Sequence, residues 1–272
     1  MIPRNLVIEW SESHSWPEQN QVEQDLLISR VLVEMFSDPV IAASLAFRGG
    51  TALYKLFLTP APRYSEDIDL VQVNAGPIGE TIDRIRAIID PFLGTPKRKR
   101  GKGLSTIVYR YQSEEVPPKV LRLKIEINTR EHFSIMGFIK KRFSIDSSWF
   151  RGETEILTYP LEELMGTKLR ALYQRNKGRD LFDFWYTLCN SGLDIPSSLN
   201  VFRHYMDKEG LSVSRAQFEQ NLRGKILSKV FLDDTPLLLR EEIAAEWDPQ
   251  IAHEVIQDRV ISQLPGEPWK GG

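Results

Sequence analysis

The chain has 272 residues, 42% hydrophobic and 26% charged, with a formal net charge of −2. That composition is ordinary for a globular protein, and the length suffices for one large core or two small ones. No apolar run approaches a membrane span, the start Met1-Ile-Pro-Arg-Asn-Leu lacks a signal-peptide pattern, and the single cysteine, Cys189, excludes an internal disulfide; the expectation is a cytoplasmic protein with no membrane partner.

Apolar positions at Val22, Leu26, Leu27, Val31, Leu32 and Phe36 predict an amphipathic helix over 20–36, ended by Asp38-Pro39. Leu45, Ala46 and Phe47 then run into Gly49-Gly50, after which Ala52, Leu53, Leu56 and Phe57 recur at helical spacing, predicting strand, glycine turn and helix. Glycines at such a turn let backbone N–H groups and the positive helix end approach an anion, and Thr51 adds a hydroxyl; an ordinary tight turn is the plainer alternative. The segment lacks the glycine-lysine of a P-loop and the three-glycine spacing of a dinucleotide fold. In Tyr64-Ser65-Glu66-Asp67-Ile68-Asp69-Leu70, an extended strand puts Asp67 and Asp69 on one face while Ile68 and Leu70 enter a core. Two hard oxygen donors so placed suit Mg²⁺ and suggest nucleotide chemistry; a solvated strand edge is the alternative.

A further helix is expected over 78–93, through Ile82, Ile85, Ile88, Ile89 and Leu93. From Lys97 to Arg142 there are thirteen Lys or Arg against four Glu, and the steepest run, Lys97-Arg-Lys-Arg-Gly-Lys-Gly, reads as a mobile loop tip or a hairpin approach. Such a segment suits RNA phosphates or an incoming nucleotide, or is simply solvated. In Leu121-Arg-Leu-Lys-Ile-Glu-Ile-Asn the alternation is that of a strand, with Glu126 on the polar face. There it serves either as a third acid beside Asp67 and Asp69 or as a solvated partner of Lys124 or Arg122. Strands dominate 104–158 and helices 160–261, with the boundary in 149–160.

Leu161, Leu164, Met165, Lys168, Leu169 and Leu172 fall on one helical stripe, so Lys168 either snorkels from it or has a function. After a break at Asn176-Lys177-Gly178, a second helix carries Leu181, Phe184, Trp185 and Leu188, with Asp180 and Asp183 on one face. Macrodipole stabilisation accounts equally well for Asp180 alone. Cys189 is expected to be buried among Trp185, Leu188 and Leu193. His14, His132, His204 and His253 show no ligand spacing, which leaves Lys, Arg and Asp chemistry.

The Gly49-Gly50-Thr51 turn, the Tyr64–Leu70 stretch, the Lys124-Ile125-Glu126-Ile127 strand and the block from Lys168 to Arg179-Asp180-Leu-Phe-Asp183 together resemble the AbiEii/AbiGii nucleotidyltransferase toxins, the MenT-like proteins among them. These motifs span 47–188, and the opening stretch from Trp16 to Arg30 is also similar to family members. The resemblance implies an α/β (α+β) fold: a DNA polymerase β-like nucleotidyltransferase core with a mixed sheet and an N-terminal helix over 1–158, a mainly helical C-terminal domain over 159–264, and a flexible tail or extended arm over 265–272. It implies an enzyme that transfers an NMP from an NTP to an acceptor hydroxyl with release of pyrophosphate, using Mg²⁺ or Mn²⁺. Its leading acceptor is RNA, in particular a tRNA 3′ end, growth inhibition is the outcome, and a cognate antitoxin is a partner. Asp67 and Asp69 would hold the metal and Glu126 would be the third acid. Gly49, Gly50 and Thr51 would cradle the triphosphate, and Ser65 would touch phosphate. Lys168 would neutralise charge on the nucleotide or pyrophosphate, and Asp180 or Asp183 would orient it or act near the acceptor. The family's third acid is often Asp, so direct metal contact by the longer Glu126 stays open. The alternatives are transfer to a protein side chain or small molecule with the same chemistry, or a non-catalytic member that binds nucleotide or a partner.

Overall fold

The computed structural model describes residues 2–271; Met1 and Gly272, the ends of the expected core and tail, lie outside the described residues. The chain divides into two compact units, the first ending at Tyr159 and the second beginning at Pro160.

In the first unit α1 (Arg4–Ser11) buries Val7 and Trp10, and α2 (Gln19–Ser37) realises the apolar stripe of 20–36. A capping box closes the start of α2, Glu18 and Gln21 each accepting the other's backbone N–H. Asp38-Pro39 ends α2 and at once starts α3 (Pro39–Ser44). The Asp38 carboxylate accepts from the N–H of Val40 (2.9 Å) and Ile41 (3.1 Å), and proline stands where no N–H is needed. Then follow β1 (Leu45–Arg48), α4 (Gly49–Leu56), β2 (Asp67–Gln72), α5 (Gly79–Leu93), β3 (Lys97–Gly101), β4 (Leu104–Gln112), β5 (Val120–Asn128), β6 (Ile139–Asp146) and β7 (Arg151–Thr158).

The strands form one seven-stranded sheet in the order β3-β4-β5-β2-β1-β7-β6. It is mixed: β2 runs parallel to β5 and β1 parallel to β7, and the remaining pairs are antiparallel. Alternation along β4 and β5 buries Ile107, Tyr109, Tyr111, Leu123, Ile125 and Ile127 on one face and leaves the intervening residues at least partly open. The basic run from Lys97 is not a mobile tip. It is an edge strand, exposed throughout, that forms a hairpin with β4. With both faces in solvent it carries no apolar alternation to betray it.

The second unit is helical: α6 (Leu161–Gln174), α7 (Gly178–Asn190), α8 (Ile195–Lys208), α9 (Arg215–Ile226), the short α10 (Lys229–Leu232) and α11 (Glu241–Glu246), and α12 (Pro249–Arg259). α7 buries Leu181, Phe184 and Leu188 as the spacing requires, and Phe182 besides. Cys189 does not join them; it is exposed, one residue beyond Leu188 on the outer side of the helix. From Pro265 to Gly271 the chain has neither helix nor strand and is tied to α9, Arg215 donating its N–H to the Pro265 carbonyl (2.8 Å) and Trp269 its N–H to Glu219 (2.6 Å). Among the described residues no helix is long and apolar enough to cross a membrane.

One buried side chain ties the start of β2 to β5 where the two strands begin to pair. Gln24 of α2, almost wholly enclosed, donates from Nε2 to the carbonyl of Glu66 (3.2 Å) and to that of Arg122 (2.9 Å), the residues just before Asp67 and two before Lys124. Replacing it by Leu keeps the volume and strands both carbonyls, so Gln24→Leu is expected to cost about 1–3 kcal/mol in chemical denaturation. An unchanged midpoint and slope would show that the two strand starts do not depend on it.

Candidate active site

The end of β1, the start of α4 and the start of β2 meet because Arg48 pairs with Asp69 across antiparallel strands. The chain must then turn sharply from strand into helix. Gly49 does so at φ +81°, and a Cβ there would stand 2.2 Å from Asp69 Oδ2. Glycine is thus required twice, by the left-handed backbone and by the carboxylate resting on it. At Gly50 a Cβ would lie 2.9 Å from the Arg63 guanidinium and 3.1 Å from Ser65 Oγ. Thr51 Oγ1 donates to the Asp67 carbonyl (2.5 Å) and lies 2.9 Å from Ser65 Oγ. The diglycine turn, Thr51, Ser65, Asp67 and Asp69 therefore form one cluster, at the N-terminal end of an eight-residue helix whose leading N–H groups have no intrahelical partner.

The third acid arrives from β5. Parallel pairing sets Asp67 opposite Lys124 and Asp69 opposite Glu126, so all three carboxylates occupy one face of adjacent strands. Lys124 stands among them, its Nζ 2.8 Å from Asp67 Oδ2 and 3.2 Å from Glu126 Oε2. Burial works against the Lys124 ammonium, but the hydrogen bond and charge of Asp67 and the charge of Glu126 outweigh it and hold its pKa above the ordinary lysine value. Glu126 thus neighbours the aspartates and pairs with Lys124. On the other side, Arg48 Nη1 reaches Glu131 Oε2 at 2.8 Å, and Asn128 Nδ2 reaches the same oxygen at 2.9 Å. Burial opposes the Arg48 charge, yet Tyr159, Glu131 and Asp69 raise its pKa beyond the usual arginine value.

Among the described residues no three His, Cys, Asp or Glu side chains gather closely enough to hold an ion by themselves. The donor set nevertheless suits magnesium, which is commonly held by one or two carboxylates together with substrate phosphates rather than by an all-protein cage.

In the second unit Lys168, Asp180 and Asp183 come together. Lys168 Nζ lies 3.2 Å from Asp180 Oδ1 and 2.6 Å from Asp183 Oδ2, with both aspartates fully buried and the lysine nearly so. Arg175 adds a two-pronged contact to Asp180 at 2.8 and 2.9 Å. The lysine does not snorkel to water; it is the counter-ion of a buried acidic pair. Lys225 donates to the carbonyls of Leu172 and Tyr173, the latter at 2.7 Å, satisfying the last turn of α6.

Arg48, Arg63 and Gln24 adjoin these groups without having stood out in the sequence. Lys124 had been one candidate partner of Glu126, since it lies two residues before it on an alternating strand and so shares its face. Arg48 and Arg63 had none beyond proximity to the motifs.

The fold has counterparts among solved structures. MenT4, a nucleotidyltransferase toxin from Mycobacterium tuberculosis H37Rv, superposes with a TM-score of 0.71 at 18% identity, covering 98% of this chain and 91% of its own. JHP933 from Helicobacter pylori superposes at 0.51 with 18% identity over 90% of this chain and 95% of its own. A putative nucleotidyltransferase from H. pylori gives 0.51 with 19% identity over 92% and 100%. Among proteins of curated function none matches the sequence significantly. The chain belongs to the family described as nucleotidyl transferase AbiEii toxin, type IV toxin–antitoxin system, which matches residues 30–253.

The Lys168 cluster yields a prediction separable from catalysis. Lys168→Met keeps much of the side-chain length but leaves Asp183 buried without its cation, an uncompensated charge worth roughly 3–5 kcal/mol. Thermal denaturation should show a large loss of stability, and the double variant Lys168→Met/Asp183→Asn should recover part of it. Equal stability of Lys168→Met and wild type would mean the pair does not hold α6 to α7.

Proposed function

We propose that the chain transfers an NMP from an NTP to an acceptor hydroxyl, with RNA, in particular a tRNA 3′ end, as the acceptor. The observation that carries this reading is the placement of Asp67, Asp69 and Glu126 on one face of adjacent strands directly beside the Gly49-Gly50-Thr51 turn. Family membership supports the class of reaction and an antitoxin as a partner.

In this reading the acceptor oxygen attacks the α-phosphorus. A new oxygen–phosphorus bond forms, the bond to the β-phosphate oxygen breaks, pyrophosphate departs, and the hydroxyl proton passes to solvent. Asp67 and Asp69 would hold the metal, with Glu126 as the third acid; magnesium held there would supply Lewis-acid stabilisation of the phosphate charge and ease deprotonation of the attacking hydroxyl. The backbone N–H groups at the start of α4 and the hydroxyls of Thr51 and Ser65 bind the triphosphate, using the positive end of the helix. Lys124 lies between Asp67 and Glu126 and balances part of the acids' charge, and Arg48 adds a positive charge beside Asp69. The resemblance implies charge neutralisation by Lys168 and an orienting role for Asp180 or Asp183; within the second unit the three residues pair with one another.

Asp67→Asn and Asp69→Asn each remove a charge while leaving the strand core intact, and with Mg²⁺, labelled NTPs and total RNA each is expected to abolish label transfer. Glu126→Gln should lower the rate at least about tenfold, equal to roughly 1.4 kcal/mol of barrier. Full activity in either Asp variant would remove the metal assignment. Label appearing on protein or on a small molecule, with RNA left unlabelled, would move the acceptor and keep the site.

A further inference from the structure

The acidic face of the sheet continues across β5, β4 and β3, and its charge changes sign on the way. Residues paired across strands share a face, so the register gives rows: Asp67, Lys124, Val108, Lys97 in one and Asp69, Glu126, Thr106, Lys99 in the next. Two residues further along β4 and β5, on the same face, Arg110 stands directly opposite Arg122, and both are exposed. Among the described residues Lys97, Lys99, Arg110 and Arg122 make no ion pair. They are a surplus of cations next to a site whose own lysine is fully engaged.

Lysines on an edge strand also discourage edge-to-edge pairing, which is reason enough for β3. That does not explain Arg110 and Arg122. β4 and β5 are interior strands, and at this point, beyond the last rungs with β3 and β2, they pair with each other; like charges directly opposite one another destabilise a pair of strands. Such an arrangement is favourable once an anion lies over it.

Resting on the reading of RNA as acceptor, we propose that the exposed face of β3, β4 and β5 is the docking surface for the phosphodiester backbone of that RNA, centred on the Arg110–Arg122 pair. The face offers cations but no stacking platform, because the aromatic residues of β4, Tyr109 and Tyr111, point into the core. Contact is therefore to phosphate, and base sequence is not read here. Lys99 lies three strand spacings from Asp69, roughly 14 Å. A strand lying across the rows brings one end to the carboxylates, and their negative charge repels internal phosphates. What approaches Asp67 and Asp69 most readily is a chain terminus with its uncharged hydroxyl.

The test compares wild type with Arg110→Gln/Arg122→Gln and with Lys97→Gln/Lys99→Gln, measuring binding of a fluorescent single-stranded RNA over a salt series. Each double variant should weaken binding and flatten the slope of log affinity against log salt by about 1.4, at about 0.7 for each phosphate no longer neutralised. Transfer should show a raised KM for RNA. The thermal midpoint of Arg110→Gln/Arg122→Gln should hold or rise, since a repulsive pair is removed; a fall in midpoint with an unchanged salt slope would make the pair structural and overturn the proposal. If wild type binds and labels RNA and both variants keep its slope and KM, the surface is refuted while the acceptor reading stands. If wild type binds phosphatidylserine vesicles or an acidic peptide through Arg110 and Arg122, and neither binds nor labels RNA, both the surface and the RNA reading fall.

Discussion

Everything at the candidate site depends on the register of two parallel strands, in which Asp67 stands opposite Lys124 and Asp69 opposite Glu126. A slip of one residue would turn the acids into the core and bring Ile68 and Ile125 to the surface. Several unrelated interactions resist that slip. Ile68, Leu70, Ile125 and Ile127 are buried on the opposite face, Gln24 ties the residue before β2 to Arg122 of β5, and Thr51 grips the Asp67 carbonyl. The Gly49 turn leaves no room for anything but hydrogen beneath Asp69. Three carboxylates would repel one another in such proximity, and Lys124 and Arg48 balance them. The turn that faces phosphate and the acids that face a cation are thus parts of one packing arrangement.

The second unit solves a related electrostatic problem in a drier setting. Asp180 and Asp183 are buried completely, and Lys168 and Arg175 supply two positive charges to match. Buried pairs contribute little net stability, since desolvation offsets attraction, yet removing one partner is strongly destabilising.

Much of this was legible in the residues. Period-two alternation placed Asp67 and Asp69 on one face and Glu126 on the polar side of its strand, and the spacing of three put Asp180 with Asp183. Alternation tells a face but not a neighbour. That β5 lies beside β2, across two intervening strands in sequence, follows from long-range packing that no local pattern encodes, so the pairing of Lys124 with both Asp67 and Glu126 stayed one option among several. The edge strand from Lys97 was hidden because a strand with no buried face has no apolar signature. In α2 the apolar stripe was plain, but Glu23, Gln24 and Asp25 are buried beside it, held by hydrogen bonds and an ion pair to distant partners. Arg122 was one candidate partner of Glu126 and Arg110 one cation in a basic stretch, and only the register sets the two face to face.

The central claim is that the site moves a nucleotidyl group and not a terminal phosphate. It is tested most directly by incubating the protein with RNA and a single NTP labelled either at the α- or at the γ-phosphorus, and following both RNA and the released anion. The account predicts that the α-label enters RNA and that the γ-label leaves as pyrophosphate in equal amount. A γ-label found on the acceptor, with NDP released, would show phosphoryl transfer and contradict it.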